Sequence, residues 1–457
     1  MKKDLFIDGQ WIETKEYKPL YAPYSGEKLA EVAQASKADI EKAIEVAYAK
    51  RKIMEKMPAH ERSAILANLV DLLQKNREEC AEIIAMEAAK PYRTALAEVD
   101  RTIMTFTFAA EEARRIKGEM VPMDGAPGGE NRIAFTLRKP VGVIAAITPF
   151  NFPMNLVAHK LGPAIASGNT IVLKPASQTP LSSLYLATLL QQAGLPDGAL
   201  NVVTGSGSIV GEFLVKDERI NAITFTGSPE VGKAIREQAG LKKVTLELGS
   251  NSALIIDQDI KIANIIDRVV TGAFSYAGQV CISIQRIYVH EQVYDEFMNL
   301  FVEATKKLKL GDPLDTETDV SSLISQREVE RTQSWIQEAI ENGGKIISGG
   351  SLLKNNMVEP TILTNVSNKE RVSCQEAFAP LVVVTPFSTL SEAISAVNDS
   401  VYGLQAGVYT KDISQALYAA EELEVGGVMI NDIPTYRVDQ MPYGGVKQSG
   451  VGREGIK

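Results

Sequence analysis

The stretch "VGVIAAITPFNFPMNLVAHKLGPAIASGNTIVLKPASQTP", residues 141–180, decides the fold. "VGVIAAI" is a continuous apolar run of strand length, and "TIVLK" at 170–174 is a second. Between them Pro153 opens a helix that ends at Gly168. After Lys174, Thr179-Pro180 is a cap-plus-first-turn signal for a helix ending at Gly194. The same alternation continues through "LNVVT" (200–204), "GSGSIVG" with a short helix, and "AITFT" (222–226). In "GSPEVGKAIREQAG" Ser228 caps and Pro229 opens a further helix, and "KVTLEL" and "ALIID" close the series at 256. Strands and helices alternating at this pitch predict a parallel, doubly wound sheet. Ligands of such sheets sit at the carboxyl ends of the strands, where "PFN", "KPAS", "TGSG", "TGSPE" and "ELGS" all fall.

Residues 38–116, on the amino-terminal side, are mostly helical. "DIEKAIEVAYAKRKIM", "ERSAILANLVDLLQKNREECAEIIAMEAAK" and "ALAEVDRTIMTFTFAAEEARRIKG" repeat apolar residues at three- and four-residue spacing. "FIDGQWI" reads as a hairpin around Asp8-Gly9. The Pro/Gly/Asp-rich passage "MVPMDGAPGGENR" marks an excursion from the main body. After 260 a second alternation runs through "RIYVH", "YDEFMNLFVEATKKLK", "PLVVVTPF", "LSEAISAVND", "AGVYT", "SQALYAAEEL" and "GGVMIND", which is a second α/β domain. Cys281 stands near its start. No internal repeat interrupts the pattern.

The totals narrow the function. At 457 residues the chain is long enough for two or three domains. A net charge of −9 speaks against nucleic acid or anionic lipid as partners. Three cysteines, at 80, 281 and 374, are too dispersed for a disulfide framework, so the compartment is expected to be reducing and cytoplasmic. With three histidines and no CxxC or HExxH, no metal site is expected. The start "MKKDLFIDGQWIE" lacks the apolar core of a signal peptide, and the longest apolar stretch is too short to span a membrane.

Local readings of the candidate residues leave alternatives open. "GSGSIVG" is G-x-G-x-x-x-G, one residue off the dinucleotide fingerprint, and glycine turns before helices are common. Lys174 is either a solvated strand end or an ammonium reaching a ribose or phosphate. Ser228 is either a plain cap or the start of an anion-binding helix end. Cys281 is either a buried inert thiol or a nucleophile. Cys80 reads as a packed or half-exposed thiol. Glu247, in a strand apolar on both sides, is either a surface carboxylate or a buried one with the raised pKa of a general base.

"PFNFP" (149–153), "KPASQTP" (174–180), "FTGS" (225–228), "LELG" (246–249), "GQVC" (278–281) and "EAFAP" (376–380) occur in this order. Together they resemble the motif set of the aldehyde dehydrogenase superfamily, over essentially the whole chain and nearest its lactaldehyde and semialdehyde branch. The resemblance implies two doubly wound α/β domains plus a small β oligomerisation arm. It places the cofactor domain at 1–116 and 141–248, the catalytic domain at 249–440 and the arm at 117–140, with 441–457 returning toward the core. It implies NADP, NAD or both as cofactor, a small-molecule aldehyde as substrate, and a homodimer or homotetramer.

Carried over residue by residue, the resemblance makes Cys281 the nucleophile that forms a thiohemiacetal. The Asn151 amide and the Cys281 backbone N–H would hold the oxyanion. Glu247 would activate the water that hydrolyses the thioester. Glu376 would hold the nicotinamide ribose, Lys174 the adenosine ribose and Ser228 the pyrophosphate, with Phe378 beside the nicotinamide. Thr148, Pro149, Phe150, Ser177, Gly207, Thr226, Gly227 and Leu248 would complete the cofactor cleft. Cys374 has no family role and reads as structural.

Three features depart from the family pattern. Ser177 stands where strictly NAD-dependent members carry a glutamate, which leaves room for a 2′-phosphate near Lys174. Ser250-Asn251 replaces a Gly-Lys pair. The chain stops at "GVGREGIK", where members usually continue into a strand used in oligomerisation. For the substrate, Phe152, Asn155, His159, Val280 and Ile282 are expected to border the channel, and Tyr436 and Arg437 its mouth. Histidine and arginine there suit a short aldehyde with hydroxyls or an anionic group. The plain alternatives are a satisfied helix histidine, and a salt bridge from Arg437 to Asp439 or Asp432. Against oxidation to the free acid stand two other readings, a CoA-acylating enzyme and an inactive cofactor-binding homologue. Glu247 argues for water over CoA, and the joint presence of Cys281, Asn151, Glu247 and Glu376 argues against inactivity.

Overall fold

A computed structural model describes residues 1–456. The strands Val143–Ile147 and Thr170–Lys174 pair in parallel, with Val143 opposite Thr170 and Ile147 opposite Lys174. Val143, Ala145, Ile147 and Val172 pack into one core, while Ala146, Ile171 and Leu173 pack into the core on the opposite face. A strand buried on both faces must be apolar throughout, which is why these runs do not alternate.

Leu200–Val202 extends this pair on one side, and Ile220–Thr226 and Lys243–Glu247 on the other, all in parallel. The eight-stranded sheet is completed by antiparallel edges. One is the hairpin of Leu5–Ile7 with Gln10–Ile12, turned by Asp8 (φ 53°) and Gly9 (φ 73°) as the Asp-Gly pair predicted. The other is Gly450–Val451 against Leu246 and Glu247.

The second sheet has seven strands, all parallel except the edge Lys345–Ser348. Ala253–Ile256 belongs here, between Arg286–His290 and Gln405–Tyr409, and not at the end of the first series. Periodicity could not separate two consecutive buried strands of different sheets. Residues 248–252 therefore carry the chain from one sheet to the other directly after Glu247. Lys345–Ser348 and Thr361–Thr364, four residues each, escaped the sequence pattern because they are too short to show a period.

The helical region differs in one place. The long second run breaks at Asn76 (φ −108°, ψ 22°) into Ala59–Lys75 and Arg77–Ala88, flanked by Lys37–Lys56 and Tyr92–Ala113. Two expected helix starts are also corrected. The helix after "PFNFP" runs Asn155–Ala166, beyond Pro153. The next, Leu181–Gln192, is not capped by Thr179, whose hydroxyl donates to the Phe150 carbonyl. Its first amides, Leu181 and Ser182, donate instead to the buried carboxylate of Glu87, far away in sequence.

Met120–Val121 and Ala134–Phe135 form a two-stranded arm on which Met120, Ile133, Phe135 and Leu137 are exposed. Among the described residues no helix is long and apolar enough to cross a membrane.

Candidate active site

Cys281 follows a turn in which Tyr276 (φ 51°), Ala277 (φ 53°) and Gly278 (φ 69°) are all left-handed. The two non-glycine residues store strain of about 1–3 kcal/mol each. Their surroundings hold them there. The Tyr276 hydroxyl donates to the Ala88 carbonyl, and the Gln279 amide bridges Ser322 and Ile324. A side chain at Gly278 would collide with the Ala379 carbonyl 2.2 Å away. The turn thereby presents a half-buried Cys281 among Phe152, Val280, Ile282, Leu404 and Tyr443. Burial pushes the thiol up to about 11, against the pull of a 3.0 Å contact with the Tyr443 hydroxyl.

Asn151 reaches the same loop from the first sheet, its amide donating to the Gln279 carbonyl at 3.0 Å. An amide nitrogen carries two hydrogens, so one remains for an oxyanion at Cys281. The Asn151 backbone is fixed from behind by Lys90, whose ammonium donates to its carbonyl at 2.6 Å. Lys90 is fully buried and paired with the equally buried Glu98. The other Glu98 oxygen accepts from the amides of Met154 and Asn155, capping the helix that follows.

Glu247 ends its strand 3% exposed, and among the described residues neither carboxyl oxygen has a hydrogen-bond partner. Burial, and next the carboxylate of Glu454, push it up to about 9 against Arg437, Lys160 and Arg453. That is the environment of a general base or acid. Glu454 itself accepts from Lys160 at 3.1 Å, and the ammonium also donates to Thr224 and Thr226. Burial opposes ionisation of Glu454, yet Lys160, His159 and Arg437 hold it down to about 2. Lys160 and Glu454 were missed in the sequence. The available signal was a lysine inside the otherwise apolar helix "NLVAHKLGPAIA".

The residues expected to meet substrate divide. Val280, Ile282 and Phe152 surround Cys281. Tyr436 lies at the surface, 40% exposed. Asn155 is buried, accepting from the Thr105 hydroxyl. His159 is fully buried, with Nε2 against Asp439 at 2.9 Å. Burial and Arg437 pull its pKa below the ordinary value, against the pull of Asp439, and its Nδ1 has no partner among the described residues. Arg437 bridges neither Asp439 nor Asp432. Asp439 holds His159 and Arg101, and Asp432 holds Arg268. Arg437 instead stacks 3.7 Å from the Tyr443 ring centroid, with Nη2 3.4 Å from Glu454. Its Nε is buried without a partner among the described residues.

Most of the cofactor candidates follow strands of the first sheet, while Glu376 and Phe378 come from the loop before the second-sheet strand Leu381–Phe387. Burial pulls Lys174 down to about 8, and among the described residues its ammonium donates only to the Pro175 carbonyl. Gly207 lies against it, where a side chain would reach 4.0 Å from Cε. The Ser177 hydroxyl donates to the Gly205 carbonyl, tying this loop to the glycine turn. Ser228 caps the helix Pro229–Gln238 by accepting from Val231, as expected. Gly227 donates to the Glu247 carbonyl, while Thr226 turns its hydroxyl inward to Lys160. Leu248 packs under Gly232. The Thr148 hydroxyl is buried and unpartnered among the described residues. Phe150 meets Phe378 edge to face at 5.7 Å beside Pro149. Glu376 is pushed up to about 7 by burial and accepts from the Ser250 amide. Ser250-Asn251 thus wires the Glu247 strand to the Glu376 loop, with Asn251 bonded to Ser373, Arg286 and Ser400. A buried cation at Lys174, an anion-ready helix end at Ser228, the Thr148 hydroxyl and the Glu376 carboxyl fit a nicotinamide dinucleotide.

A model described as the aldehyde dehydrogenase family matches residues 11–457. The 3-sulfolactaldehyde dehydrogenase of Priestia aryabhattai is 49% identical over 453 residues, covering 99% of this chain and 94% of that protein. The structure of aldehyde dehydrogenase 21 from Physcomitrella patens, in complex with the reaction product succinate, superposes with a TM-score of 0.97 at 40% identity, covering 100% of this chain and 95% of that one. A glyceraldehyde-3-phosphate dehydrogenase from Methanocaldococcus jannaschii, complexed with NADP, gives 0.93 at 40% identity, covering 97% and 96%.

The Lys90–Glu98 pair yields a stability prediction. Lys90→Met leaves Glu98 buried without its counter-ion and is expected to cost about 3–5 kcal/mol in urea denaturation. Adding Glu98→Gln is expected to recover part of that loss.

Proposed function

The chain belongs to the aldehyde dehydrogenase family, and from that premise we propose that it oxidises a short aldehyde with an anionic or hydroxylated end to its carboxylate. The observation that carries this reading is the meeting of three groups from separate elements. They are the Cys281 thiol, the Asn151 amide on the adjoining loop and a buried, unpartnered Glu247. Cys281 attacks the carbonyl carbon, and the free Asn151 N–H with the Cys281 amide receives the developing oxyanion. The thiohemiacetal carbon would give up its hydride to the acceptor that bound NAD(P) supplies, which turns the cysteine adduct into a thioester. Lys174, Ser177, Gly207, Ser228, Glu376 and Phe378 are the residues that would hold NAD(P), with Thr148, Pro149, Phe150, Gly227 and Leu248 shaping the cleft. Glu247 then draws a proton from water as that water attacks the thioester.

The relatives support the substrate class. The named substrate or product of each carries a short chain ending in a sulfonate, a phosphate or a carboxylate. Here the group suited to such an end is Arg437, with its unpartnered Nε near Cys281. The exposed apolar side chains of the arm support a homodimer or homotetramer that covers them.

Four outcomes test the reading. With Glu247 raised to about 9, its basic form and the rate of thioester hydrolysis should grow about tenfold per pH unit below that value. Stopped-flow absorbance should show Glu247→Gln releasing one equivalent of NAD(P)H and then stalling; steady turnover at the wild-type rate would refute the role.

Ser177 puts no carboxylate beside Lys174, so NADP should be used. Ser177→Glu should weaken NADP relative to NAD by on the order of 1–3 kcal/mol in the ratio of Michaelis constants. The lost bond to Gly205 affects both cofactors and cancels in that ratio.

Arg437→Ala should lower kcat/KM for a sulfonated or carboxylated aldehyde by roughly 1.5–3 kcal/mol, one to two powers of ten. A neutral aldehyde of the same length should change little. Equal losses on both would make Arg437 a purely structural partner of Glu454.

A further inference from the structure

Tyr443 was assigned no role by sequence, yet its hydroxyl meets the nucleophile. It lies 3.0 Å from Cys281 Sγ, and among the described residues it has no other hydrogen-bond partner. The side chain is 3% exposed, so water does not compete for this contact. Its backbone is clamped by reciprocal bonds with Glu454, at 2.9 and 2.7 Å. The following Gly444 (φ 159°) is pressed so close to Glu247 that a side chain there would lie 3.1 Å from Oε1. The Arg437 guanidinium stacks on the ring, 3.7 Å from its centroid. The phenol therefore has one place to point.

We propose that the Tyr443 hydroxyl is the catalytic hydrogen-bond donor that holds Cys281 as the attacking thiolate. The proposal rests on Cys281 being the nucleophile. A thiolate has no hydrogen to give, so in the reactive state the phenol must donate. The thiol S–H bond breaks, its proton passes to water, and the electron pair remains on sulfur. That pair then forms the bond to the carbonyl carbon while the carbonyl π pair moves to oxygen. Tyr443 keeps its proton throughout, because burial holds its phenol well above the ordinary pKa. The charged and titratable groups facing Sγ pull in both directions. Arg437 favours the thiolate, whereas Glu376 and Glu247 oppose it. Tyr443 is the group that contacts the sulfur directly. Once the thioester forms, the sulfur becomes a poor acceptor and the bond lapses, so the contact favours attack more than it favours the acyl-enzyme.

The test is the rate of Cys281 carboxamidomethylation by iodoacetamide against pH, read by peptide mass spectrometry, with Cys281→Ala as the blank. Tyr443→Phe keeps the ring under Arg437 and removes only the donor. Its alkylation at pH 7.5 should fall roughly tenfold and the rising limb should move up by about one pH unit, the scale of one charge-assisted bond. The NADP(H) burst should slow in step, while NADP(H) binding by fluorescence should be retained. A Phe variant that binds NADP(H) with an unchanged alkylation profile overturns the proposal. If that variant fails to bind NADP(H), Tyr443→3-fluorotyrosine preserves the shape with a stronger donor. It should move the limb to lower pH, and an unmoved limb overturns the proposal. Oxidation that survives in Cys281→Ala would instead sink the nucleophile itself, an outcome separate from either result at Tyr443.

Discussion

Two buried charges, Lys90 and Glu98, carry the geometry on which the site depends. Neither is solvated, so each must find its bonds inside. Lys90 finds Glu98 and the Asn151 carbonyl, and it also sits over the rings of Phe152 and Tyr276. Glu98 finds the first amides of the Asn155 helix. One pair therefore fixes the loop carrying Asn151, the helix carrying His159 and Lys160, and the strained turn before Cys281. A pair of this kind gives little net stability over a hydrophobic replacement. Its effect here is to leave these three segments one mutual arrangement.

Around the thiol, the interior holds more charge than a core normally tolerates. Glu247, Glu454, Lys160, Arg437, His159, Asp439 and Arg101 lie within one connected set of contacts. The set is not evenly satisfied. Glu454 and Asp439 have direct cationic partners and are held low, whereas among the described residues Glu247 has none and is driven high. Two carboxylates in one environment are thereby pushed apart, one as a fixed anion and the other as a group that exchanges protons. The crossing at 248–252 brings the end of the Glu247 strand against the Glu376 loop of the second sheet.

Much of this was legible in the chain order of residues. Strand and helix periods gave the first sheet because its central strands are buried on both faces and its helices are not. Asp8-Gly9, Gly168 and Ser228-Pro229 marked their turns and caps because those conformations admit few residue types. Cys281, Glu247 and Asn151 stood out because they sit in short motifs of fixed spacing. The sequence reading failed where partners come from elsewhere. Glu87 and Glu98 cap helices that follow them by dozens of residues, so the local cap signals at Thr179 and Pro153 pointed to the wrong groups.

What the sequence by itself determined was the two-sheet α/β architecture, the family, and the short motifs that carry Cys281, Glu247 and Asn151. These follow from local spacing and from which residues can accept burial. Only the tertiary structure decided how the interior charges pair. Lys160 and Glu454 are 294 residues apart, and Cys281 and Tyr443 are 162 apart. Arg437 was readable as a bridge to a nearby aspartate, yet the fold gives those aspartates to Arg101, His159 and Arg268 and hands Arg437 to Glu454. The reason is physical. A buried charge is satisfied by whatever the packing of distant elements brings within 3–4 Å, and spacing along the chain carries no information about that.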